Sequence, residues 1–209
     1  MKNIPVITIS RQYGSQGHEV GQKVAERLSI PYFDKSLIAL AAKQSGFSEA
    51  AFEYADEKAG SSLLYSMVTS GMGVAARISG TTELPINDKL FLIQSDIIRN
   101  AAEEGPCVIV GRCSNYILRD RADVFKVFIH ANKEDRVRHA IEVDGIDANK
   151  AADFVTKRDK QRANYYNFYS SMRWDDINAY NMTLDTSLFS VDQAADMIIQ
   201  AVQALTGEE

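Results

Sequence analysis

Runs of β-branched residues, apolar on both faces and separated by stretches of helical periodicity, leave this chain few ways to fold. IPVITIS at 4–10, PCVIVG at 106–111 and VFKVFIHA at 124–131 fit strands buried on both sides. IPYF at 30–33 and MTLDT at 182–186 add two short ones. Between them lie helical patterns. In residues 18–29, Val20, Val24 and Leu28 recur every four positions. Further helices are expected at 36–46, at 87–103 with Asn87 and Asp88 as cap candidates, at 133–143, at 147–171, and at 190–205 with Ser190 as the cap. Strands alternating with helices predict an α/β fold with a central parallel sheet covered on both faces. Ligands bind such sheets beyond the C-terminal strand ends. That rule selects residues 10–19, 34–35, 111–116 and 185–187.

The length of 209 residues suits one domain, 1–209, with a core large enough to stand without disulfides. A helical insert is expected at about 47–88, where Gly71, Gly73 and Gly80 interrupt any long helix. The net charge of -5 argues against nucleic acid as a partner, so an anionic ligand would need a local basic cluster. Two cysteines and three histidines offer no zinc spacing and no disulfide framework. The N-terminal apolar stretch is short and broken by Pro5 and Thr8, unlike a signal peptide or membrane span. The expected location is cytoplasmic, with no membrane partner. A homodimer is compatible with the sequence, which does not set the oligomeric state.

Three segments carry candidate chemistry. SRQYGSQGHE follows strand 1, and a Gly-containing loop running into a helix offers free backbone N–H groups to a phosphate. The standard phosphate-loop pattern is not matched, and a plain strand-to-helix turn is the alternative. Residues 136–173 hold eight basic residues against five acidic ones. Arg158 and Arg162 stand four apart on one helix face and could clamp a polyphosphate, or be paired within a solvated helix. Gly111-Arg112 follows a buried strand at the binding edge, which favours ligand contact for Arg112 over a structural ion pair. Cys113 has no visible base and reads as an inert thiol. His18 could touch a phosphate or simply begin the helix, and for Glu19 the plain reading is that it complements the helix dipole. Tyr165, Tyr166 and Trp174 read as packing.

Taken in order, ITISRQYGSQGHEVGQKVAERLSIPYFDKSLI, PCVIVGRCSNYIL, KRDKQRANYYNFY and MTLDTS resemble the cytidylate-kinase-like proteins of bacteria, relatives of the P-loop nucleoside monophosphate kinases. The resemblance implies a P-loop NTPase-like three-layer fold with a central parallel sheet, a helical insert and a basic lid at about 144–176. A family loop of the form GSGKGT falls on Gly14-Ser15-Gln16-Gly17-His18-Glu19. The loop lysine is therefore replaced by Gly17, the magnesium-binding hydroxyl by Glu19, and the opening glycine by Arg11. Gly14 to Gly17 would then cradle the phosphates. Arg11 or His18 would supply the missing charge, and Glu19 becomes a candidate magnesium ligand. The family's GRD segment is matched by Gly111-Arg112-Cys113, without its acid. Arg158 and Arg162 resemble lid arginines that stabilise the transferring group. Asp34 and Arg112 lie where the acceptor is bound, and Asp185 and Thr186 where the donor base lies.

The implied activity is an ATP- and Mg2+-dependent phosphotransferase acting on small-molecule nucleotides, in particular a cytidylate (CMP/dCMP) kinase with an atypical loop. Two alternatives stay open: a nonenzymatic nucleotide-binding or regulatory protein on the same scaffold, and a kinase of another small phosphate acceptor.

Overall fold

The computed structural model describes residues 4–34 and 86–207. Its strands are β1 (Val6–Arg11), β2 (Tyr32–Phe33), β3 (Val108–Val110), β4 (Val124–His130) and β5 (Met182–Asp185). They form one sheet in the order β2-β3-β1-β4-β5, with every pairing parallel. Its helices are α1 (Gly17–Leu28), α2 (Ile86–Glu104), the short α3 (Ser114–Ile117), α4 (Lys133–Glu142), α5 (Ala148–Ser170) and α6 (Val191–Thr206). A 3₁₀ turn, Ile177–Ala179, precedes β5.

The strands alternate as a sheet buried on both faces requires. Ile7 and Ile9 of β1, Val108 and Val110 of β3, and Val127 and Ile129 of β4 pack with Val20 and Val24 of α1 and with Ile198 and Val202 of α6. The residues between them, Val6, Ile109 and Phe128, face the other layer with Ile98 of α2 and Tyr166 of α5. β1 sits between β3 and β4, in register from Ile9 to Val110 on one side and from Ile9 to Val127 on the other. The result is three layers: helix, sheet, helix.

Local chemistry sets the helix limits. Ser190 and Gln193 make a reciprocal capping box at the start of α6, as the cap candidate required. Gly207, at φ 68°, ends that helix in the left-handed conformation. α2 already runs at Ile86, so Asn87 and Asp88 lie in its first turn and not at its cap. Asp88 accepts a hydrogen bond from the Tyr169 hydroxyl at 3.2 Å. The helix expected at 36–46 and the insert at 47–88, up to residue 85, lie outside the described residues. Among the described residues no helix is long and apolar enough to cross a membrane.

Both cysteines are buried and free. Burial pushes the Cys107 thiol up to about 11, and pushes Cys113 further in the same direction. Since only thiolate reacts, iodoacetamide at about pH 8 should label neither in the folded protein and both in denaturant, counted as adducts by mass spectrometry. Ile198 is fully buried between α6 and the sheet. Ile198→Ala should cost about 2–5 kcal/mol in urea unfolding.

Candidate active site

Because all strands are parallel, their C-terminal ends meet at one edge. The last residue of β1 is Arg11. Its stem passes over Gly17 at the start of α1, where a β-carbon would come within 2.5 Å of the Arg11 Cβ. Its guanidinium then lies against Gly111, just beyond β3, where any β-carbon would collide with Arg11 Nη1. Gly111 has φ 81°, and Arg112 and Cys113 follow at 58° and 56°. Three consecutive left-handed residues, two of them not glycine, make a strained turn of a kind that collects at ligand-binding positions. The turn is held by Gly111 N–H to the Ile9 carbonyl at 2.9 Å and by Ser114 N–H to the Gly111 carbonyl at 3.1 Å.

The loop after β1 runs from Gln12 to Gln16. Ser15 is fully buried, and its hydroxyl lies 2.9 Å from the Gln12 carbonyl oxygen and 3.2 Å from that of Ile129. Gln16 enters α1 at φ 56° with no side-chain cap, so the first N–H groups of α1 lack the usual side-chain acceptor. Gly14, at φ 73°, lets the loop touch the backbone of Arg136, whose carbonyl oxygen would sit 2.5 Å from a β-carbon there. The space beside each of these loop glycines is thus taken by protein atoms.

Helix α5 crosses above this edge. Arg162 donates to the Arg11 carbonyl at 2.9 Å and lies over the Tyr13 ring at 5.4 Å. Arg158 lies over the Phe154 ring at 5.0 Å. Tyr13 donates its hydroxyl to Asp144 at 2.8 Å and packs edge-on against Phe154. Burial and the Asp144 carboxylate push its phenol up to about 12, against the pull of Arg158 and Arg162. It therefore stays a neutral donor at ordinary pH.

A cleft of about 230 Å³ opens between the sheet edge and α5. Arg11, Arg112, Arg158 and Arg162 all line it, and among the described residues no acidic one does. Four guanidiniums around a small volume repel one another, and an anion offsets that cost. The remaining wall is Ser10, Tyr13, Gln161, Tyr165, Tyr166 and Trp174, together with Gly111 and Cys113.

The other expected site residues stand outside this lining. His18 is turned towards β2, with Nδ1 at 2.8 Å from the Tyr32 hydroxyl and 3.7 Å from Asp34. Glu19 lies 3.7 Å from His139 of α4. Thr186 places its hydroxyl 2.9 Å from the Ser15 carbonyl oxygen, tying the end of β5 to the loop. Asp185 accepts from the Ser187 amide and lies 3.9 Å from His130. Among the described residues no group of three or more histidine, cysteine or acidic side chains gathers to hold a metal. Magnesium commonly uses one or two carboxylates and substrate phosphates.

Sequence reasoning missed two contributors. Tyr13 was an unremarked loop residue. Nothing in the sequence singles out Asp159, whose partner is Arg136 of α4. The aromatic residues Tyr165, Tyr166 and Trp174 were read as packing; they pack and also wall the cleft.

The model of the cytidylate kinase-like family matches residues 6–188. The cytidylate kinase of Methanopyrus kandleri is 26% identical over 119 residues, 53% of this chain and 62% of that protein, so the match spans less than two thirds of that relative. Among solved structures, an uncharacterized protein from Eubacterium ventriosum is 28% identical with a TM-score of 0.70, covering 96% of this chain and 99% of that one. The shikimate kinase of Acinetobacter baumannii has a TM-score of 0.52 at 12% identity, covering 97% and 95%, a likeness of fold alone. The layered parallel sheet is that of the P-loop kinases, and by its sequence the chain belongs to the cytidylate kinase-like family.

Proposed function

We propose that this protein transfers the γ-phosphoryl group of ATP to a nucleoside monophosphate, with CMP or dCMP the first acceptors to try. The observation that carries this reading is the convergence of Arg11, Arg112, Arg158 and Arg162 on one cleft at the ends of β1 and β3. The family supports a phosphotransferase; the choice of acceptor rests on the resemblance to cytidylate kinases.

In this reading an oxygen of the acceptor phosphate attacks the γ-phosphorus. The bond from that phosphorus to the β,γ-bridging oxygen breaks, and ADP leaves with the electron pair. Little covalent work falls to the protein; positioning and neutralisation of charge dominate. Arg112, on its strained turn, holds the acceptor phosphate. Arg158 and Arg162 reach down from α5 to the transferring group. The uncapped start of α1, with Gly14 to Gly17, faces the donor phosphates. Arg11 supplies the cation that the loop lacks, since Gly17 stands where the family lysine would be. Its place in the cleft favours it over His18, which is turned to Tyr32. Magnesium bound to the nucleotide would neutralise phosphate charge, with Glu19 the loop's carboxylate candidate. Asp34 stands on the acceptor side at the end of β2, and Asp185 and Thr186 flank the donor side. Residues 144–176 act as a lid whose closure excludes water.

Two observations favour other readings. The missing loop lysine fits a nucleotide-binding regulator. Cys113, in place of the family's acid, fits a different phosphate acceptor.

Purified protein with MgATP and, separately, CMP, dCMP, UMP and AMP should yield diphosphate from CMP or dCMP at about 1 per second or faster, measured by ion-exchange chromatography. Arg162→Ala should lower kcat by about 10²-fold or more while ATP affinity changes less than about tenfold. Loss of affinity alone would favour the regulator. Product from none of the four acceptors would leave the regulator and the other-acceptor kinase.

A further inference from the structure

Arg136 is 8% exposed, and it is a charged residue outside the cleft lining. Its Nε donates to the Ala131 carbonyl beyond β4 at 3.1 Å, and its Nη1 donates to the Tyr13 carbonyl at 3.3 Å and to Asp159. Asp159 uses its other oxygen to accept the Tyr13 backbone N–H at 2.7 Å. One carboxylate therefore joins three elements: the loop after β1, α4 and α5. Both polar groups of the Tyr13 peptide unit are consumed by it and its partner.

We propose that Asp159 and Arg136 are positioning residues that fasten α5 to the loop and so set where Arg158 and Arg162 stand over the cleft. Helix geometry supplies the reason. At 3.6 residues per turn, Arg158 and Arg162 lie about 100° and about 60° round the axis from Asp159, both on the same side and about 40° apart. An anchor on the same stretch of α5, beside the face the two share, fixes the rotation of the helix and with it both guanidiniums. Charge supplies the rest: a pair with its arginine buried and its carboxylate half-buried holds firmly where further hydrogen bonds satisfy it, and here the Tyr13 backbone and Ala131 do so. The kinetic part of this inference rests on the phosphotransferase reading; the anchoring part does not.

The test uses Asp159→Ala, the milder Asp159→Asn, and the double variant Arg136→Met/Asp159→Leu. The double variant removes both charges together, so it avoids stranding one and keeps the fold. Three quantities are read: melting temperature, exchange of the Tyr13 amide by NMR, and kcat against KM for diphosphate formation. In Asp159→Ala the Tyr13 amide should exchange at least about tenfold faster while α6 amides keep their protection. Asp159→Asn, which retains an acceptor for that amide, should change it less. The double variant should recover the melting temperature yet keep kcat down by about 10²-fold, with KM for the acceptor changed far less. Recovery of kcat along with stability would overturn the positioning role. So would unchanged Tyr13 exchange in Asp159→Ala. If the wild-type protein forms no diphosphate, the phosphotransferase reading fails on its own, and the exchange result still decides whether Asp159 anchors the loop.

Discussion

Parallel pairing is the constraint on which the rest depends. A parallel strand cannot return by a hairpin, so each connection must cross a face of the sheet, and every C-terminal end arrives at the same edge. β1, paired on both sides, brings Arg11 to the middle of that edge. β3 brings Gly111 and Arg112 beside it, and α5 closes over both. The apolar strands that make the core are therefore also what gathers the cations. Ile7 and Ile9 face one helical layer, while Ser10, next along the strand, already lines the cleft.

The cleft then presents an electrostatic problem that the fold solves in two ways. Inside it, four guanidiniums stand with no acid among the described residues lining the same volume, an arrangement suited to a multiply charged anion. Beneath it, Arg136 is buried and fully engaged with Asp159, the Tyr13 carbonyl and the Ala131 carbonyl. One set of charges lines the cleft, and the other fixes the frame. Glycines mediate between them. Gly111 admits the Arg11 guanidinium, and Gly14 admits the Arg136 backbone.

The strands and most helices could be read from the sequence because their signals are local. β-branched runs such as VIV at 108–110 and the Ser190–Gln193 box carry their structure within a few residues. At the binding edge Arg112, Arg158 and Arg162 are picked out by position or spacing and Arg11 by the family resemblance, and the structure brings all four together. Contacts between distant segments were not legible. Tyr13 and Asp159 are 146 positions apart, and nothing in RQYG or KRDKQR states that one will hold the other. The direction of a side chain was equally hidden. His18 and Glu19 lie side by side in sequence, yet one reaches Tyr32 of β2 and the other His139 of α4. Asn87 and Asp88 misled because a polar pair before an apolar pattern looks like a cap, while the helix had begun earlier.

The central claim is that the four cleft arginines face one anionic site, occupied by the donor and acceptor phosphates together. Arginine Nε–H signals in a nitrogen–proton correlation spectrum report it directly, assigned through single Arg→Lys variants and followed while CMP and a nonhydrolysable ATP analogue are added together to the free protein. The account expects the signals of Arg11, Arg112, Arg158 and Arg162 to shift together and saturably, with those of the surface residues Arg27 and Arg173 unmoved. Saturable binding that leaves all four cleft signals in place would contradict it.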